Sequence, residues 1–101
     1  MIGCLRNAGF STELVGHTVA LLDAFVYGFA IQEAALPTTG GDELAELAGE
    51  ILASLDPDAY PHFVDYARER VLGGDYEFGD EFDFGLEVVL DGIEHRLATR
   101  L

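Results

Sequence analysis

The chain has 101 residues, half of them hydrophobic, which is the size of one small domain with enough apolar material for a real core. Its 19 acidic residues stand against five arginines and no lysine, giving a net charge of −14 at pH 7. That balance repels phosphate and excludes direct binding to nucleic acid or to an anionic membrane.

Met1–Gly9 reads as a tail: a short apolar-basic turn around Cys4-Leu5-Arg6, then Gly9 as a helix terminator. The lone Cys4 excludes an internal disulfide and a four-cysteine metal site, and it suits a reducing cytoplasm. No signal peptide is legible, because Arg6 and Asn7 interrupt before any apolar run. Ser11 is a natural N-cap, Glu13 favours the positive end of a helix dipole, and Phe10 is placed to staple onto Val15. A first long helix is therefore expected from about Thr12 to Leu36, stopped by Pro37. Its Thr18–Ile31 stretch carries Asp23 near the middle, and reads as too short and too charged to span a bilayer.

Gly40-Gly41 precedes a second helix, starting near Asp42, with Leu44, Leu47, Ala48, Ile51, Leu52 and Leu55 on one face and Glu43, Glu46 and Glu50 opposite. Asp56-Pro57 ends it. Pro61 opens a third helix carrying Phe63, Val64, Ala67 and Val71 to about Leu72, closed by Gly73-Gly74. Asp80 or a near neighbour caps the last helix, whose early acids and late Arg96 and Arg100 follow the dipole. No segment alternates as a strand should, so no sheet is expected.

Two helices are unusual. Wound at ~100° per residue, the last shows a stripe of Phe82, Leu86, Val89, Leu90, Ile93 and Leu97, with Gly85 and Gly92 at its edge and a second apolar face at Phe84 and Val88. A glycine inside a helix costs about 1 kcal/mol relative to alanine, so two in line call for a close helix crossing. The first helix has a bulky face (Leu14, Leu21, Leu22, Phe25, Phe29) and a ridge of small residues (Gly16, Ala20, Ala24, Gly28), flanked by Tyr27 and Ile31. A helix apolar nearly all round must be enclosed. Both helices could sit centrally in a monomer. The preferred reading is an all-α domain of about four helices, the two long ones pairing into an intermolecular four-helix bundle about a two-fold axis.

The catalytic and metal readings are weaker. His17, His62 and His95 lack the two-histidine spacing of a zinc protease and a nucleophile to assist, and Asp91–His95 reads as a solvated pair. Counted from Asp75, the acidic run has Asp80 where a calcium loop needs glycine and Leu86 where it needs glutamate. The glycine pairs lack phosphate-binding patterns. No catalytic residue, metal ligand or cofactor site is assigned.

Phe25-Val26-Tyr27-Gly28-Phe29 with Gln32-Glu33, then Phe82-Asp83-Phe84-Gly85-Leu86 and Leu90-Asp91-Gly92-Ile93-Glu94, resemble the C-terminal domain of tetracycline-repressor-like (TetR) transcriptional regulators. Phe10-Ser11 and Tyr60-Pro61-His62 fit the same pattern, so the resemblance runs from about Ala8 to Leu97. It implies a cytoplasmic repressor's dimerising and effector-sensing domain spanning residues 1–101, without its helix-turn-helix head and its earliest helices. DNA is then reached only through that head. The expected dimer interface comprises Gly28, Gly85, Leu86, Val89, Leu90, Gly92 and Ile93. A small apolar or aromatic effector is expected near Leu21, Phe25 and Phe29, since sites in bundles form between helices. A stand-alone acidic helical module binding a basic partner remains the alternative.

Overall fold

A computed structural model describes residues 1–99, so Arg100, expected in the last turn of the final helix, lies outside the described residues. The elements are α1 (Ile2–Asn7), α2 (Thr12–Ala35), α3 (Gly41–Ala53), α4 (Pro61–Arg70) and α5 (Asp80–Thr99). Among the described residues there is no strand, only an isolated antiparallel bridge between Gly40 and Glu77. The chain divides into two compact units: Met1–Ala34 with the chain from Phe82 onward, and Ala35–Glu81.

In the first unit, the segment read as a tail forms α1 instead. Backbone N–H groups of Leu5 and Ala8 donate to the carbonyls of Met1 and Cys4. Leu5 also packs onto the core, and the Arg6 guanidinium donates to the Phe10 carbonyl at 2.7 Å. One apolar contact and one charged anchor thus order a turn too short to persist alone. The start of α2 follows the sequence: the Leu14 N–H donates to Ser11 Oγ at 3.1 Å, and Phe10 and Val15 share the core cluster.

The helix α2 lies antiparallel to α5. Val15 shares its cluster with Ile93 at one end, and Phe25 faces Phe82 at the other. Leu14, Val19, Leu22, Val89 and Leu97 pack around the buried trio of Phe10, Val15 and Ile93. The apolar girth of α2 runs further than Thr18–Ile31. By length and composition alone the helix is long and apolar enough to cross a membrane. Leu14 and Val15 carry the apolar run back beyond Thr18, and Asp23 is the only acid or arginine between Leu14 and Ile31.

The second unit is the pair α3 and α4, with Val64 and Ala67 buried. Its loops are closed by backbone bonds: Gly41 N–H to the Tyr76 carbonyl at 2.7 Å, and Phe78 N–H to the Thr39 carbonyl at 2.6 Å. Gly40 is required there, because a methyl at its position would collide with the Tyr76 carbonyl. The acidic run from Asp75 is thus the strap that meets Gly40-Gly41. At its end Arg70 reaches Glu81 (3.5 Å) and lies over the Tyr76 ring, 5.7 Å from its centroid.

Candidate functional site

Burial on one side of the α2–α5 hairpin leaves the other side bare. There Ile31 is 71% exposed, Phe84 66% and Tyr27 65%, and Leu21 and Val88 are also open to solvent; Val26 and Leu90 are exposed on other flanks of their helices. The small ridge expected on α2 is exposed along its length, at Gly16, Ala20, Ala24 and Gly28. Aliphatic and aromatic groups so displayed over the two longest helices form an unusual surface for a single chain of this size.

Between the helices this surface dips into an apolar depression of about 310 Å³, lined on α2 by Leu14, Thr18 and Leu21 and on α5 by Val88, Val89 and Gly92. His17 and Arg96 stand at its margin. Beyond its chain neighbours and the backbone of its own helix, a methyl at Gly92 or at Gly28 would meet no atom within 4 Å. Neither glycine is therefore explained by packing inside the protomer. Thr18 is only 3% exposed, and its Oγ1 has no hydrogen-bond partner. Sequence reasoning did not single it out, since a threonine on the inner stripe of a helix normally bonds back to its own turn.

The other expected interface residues divide. Gly85 is tight within the chain: a methyl there would stand 2.7 Å from Cζ of Phe25. Ile93 is buried in the core and Val89 packs against it. Leu86 is half-buried, while Leu90 is half-exposed and falls about 160° from Gly92 around α5, on the other flank. Of the expected effector residues, Phe25 and Phe29 are brought together, with ring centroids 6.2 Å apart. Both close on Phe82, Phe25 stacked at 5.3 Å and Phe29 edge-on at 5.2 Å. Leu21 lies apart from them, lining the depression.

The histidines and acids do not converge. His17 Nε2 is 3.6 Å from Glu13 on the same exposed helix face. Asp91 and His95 form no ion pair among the described residues, and no group of three or more acids, histidines and cysteines is gathered as a metal site would require.

A family model described as "Tetracyclin repressor-like, C-terminal domain" matches residues 1–97. No curated protein and no solved structure matches the chain.

Proposed function

The chain belongs to the tetracycline-repressor-like C-terminal domains, a regulatory and not a catalytic family, and on that premise we propose that it is the pairing and effector-sensing module of a cytoplasmic repressor. The observation that carries the pairing is the open glycine at each long helix, Gly28 and Gly92, set among exposed Leu21, Ile31, Phe84 and Val88. Small residues let helices approach closely, and a two-fold axis would place the same face of a second copy against them. Leu86 and Leu90, about 120° and 160° around α5 from Gly92, lie away from that face. Gly85, Val89 and Ile93 support it from within, because they fix the spacing of α2 and α5.

For the sensing half, the Phe25–Phe29–Phe82 cluster and Leu21 offer an apolar or aromatic effector rings to displace along the hairpin. A compound entering there must shift α5 relative to α2 and so alter the pairing face. Cytoplasmic residence and action on DNA only through another part of the regulator follow from the same reading. Thermal unfolding with a panel of apolar and aromatic compounds tests it: a true effector raises the melting temperature, and Phe25→Ala abolishes the rise. If no compound of that class moves the transition, the sensing half fails while the pairing half stands or falls separately.

A further inference from the structure

Eight residues of the second unit, none of them part of the pairing or effector reading, enclose a separate apolar cleft between α3 and α4. Leu44, Leu47 and Ile51 supply one wall, and Phe63, Tyr66 and Val71 the other, around a volume of about 190 Å³. Ile51, Phe63 and Tyr66 are each about half exposed at its mouth, so the cleft opens to solvent. That volume lies between the ~150 Å³ that accommodates a benzene ring and the ~300 Å³ at which drug-sized sites begin. The cleft fits one ring or a short branched chain and leaves the rest of a ligand outside.

What surrounds the mouth is negative. Residues 35–81 hold 12 acids and two arginines (Arg68 and Arg70), so this unit alone carries −10 of the chain's −14. Glu43 and Glu50 are exposed, and they sit at −4 and +3 from Leu47, on the margin of the α3 face that lines the cleft. Of the two cations, Arg70 is engaged by Glu81 and the Tyr76 ring. Arg68 is exposed on the flank of α4, about 140° around the helix from Phe63 and about 60° from Val71. Phe63 and Tyr66 add aromatic faces at the mouth, which attract an organic cation but not its neutral counterpart.

We propose that the α3–α4 cleft binds a lipophilic organic cation, its apolar ring seated among Leu44, Leu47 and Ile51 and its charged head held at Tyr66 and the Glu43–Glu50 margin. The acidic field of the unit raises the local concentration of such a ligand and disfavours organic acids. This site is distinct from the Phe25 cluster, and it requires no second copy.

Titration of the intact chain with phenyltrimethylammonium, its uncharged isostere tert-butylbenzene and the anion 4-phenylbutyrate tests the proposal, read by methyl NMR. The cation should shift Leu44, Leu47 and Ile51 methyls and bind on the order of fivefold more tightly than the isostere, with the advantage fading as salt is added. The conservative double variant Glu43→Gln/Glu50→Gln should remove most of that advantage and leave binding of the isostere unchanged. Equal affinity for cation and isostere, or binding of the anion as tightly, overturns the proposal. Shifts confined to Leu21, Leu22 and Val89 also overturn it while supporting the effector site in the first unit. Binding of a basic amphipathic peptide without the small cation overturns it in favour of a protein-docking surface.

Discussion

Three residues of the hairpin make opposite demands. Gly92 has open space where a side chain would go, so Gly92→Ala should stabilise the isolated protomer by up to about 1 kcal/mol through helix propensity alone. Gly92→Leu should instead weaken association by about 1–3 kcal/mol through overpacking of a close crossing, as measured by dilution experiments. If the leucine leaves association unchanged, no second helix crosses there. Gly85 behaves differently: Gly85→Ala must displace the Phe25 ring and should lower the protomer's own melting temperature, whatever the state of association. At Thr18 the near-isosteric Thr18→Val removes a buried hydroxyl that lacks a partner. In the monomer it should be neutral or stabilising by about 1 kcal/mol. A loss of dimer affinity on that change would mean that the second copy satisfies the hydroxyl.

At the scale of elements, the long helices were legible because their signals are local. Ser11, Phe10 and Pro37 bracket α2, and Pro61 and Asp80 open α4 and α5 where the sequence places them. The helix α1 was not legible. Its order comes from Leu5 on the core and Arg6 on the Phe10 carbonyl, which are tertiary contacts that no local pattern encodes. The roles within α5 were legible only in part. Its periodicity places Leu90 in the main stripe beside Ile93, yet α2 covers the flank with Val89 and Ile93 and leaves Leu90 half-exposed. Gly85 and Gly92 look alike in sequence, seven residues apart. Only the position of Phe25 separates the one packed inside the protomer from the one left open. The strap of the second unit supplies a further prediction. Burial, followed by the nearby carboxylate of Glu81, raises the Tyr76 phenol above its ordinary value of 10.0. A folded-state pKa above the unfolded one gives a contribution that is complete below about pH 10 and lost as pH rises through the folded value. Tyr76→Phe should therefore flatten the fall in stability on the alkaline side, seen in urea melts from pH 9 to 11.

For the molecule as a whole, charge and apolar surface pull in different directions. Two copies each at −14 repel one another, while the exposed faces of α2 and α5 gain by being covered. Added salt should therefore strengthen self-association by screening the repulsion. A stand-alone acidic adaptor that captures a basic partner would show the reverse dependence. The same apolar girth that gives α2 the hydropathy of a membrane helix is what enclosure between two hairpins requires, and the family match along residues 1–97 favours that use of it. Sedimentation velocity over a micromolar concentration series, at low and moderate salt, is the decisive measurement of pairing. A species of twice the 10.9 kDa protomer, favoured by salt and weakened by Gly92→Leu, is expected. A single 10.9 kDa species throughout the series, indifferent to salt and to that substitution, would contradict pairing.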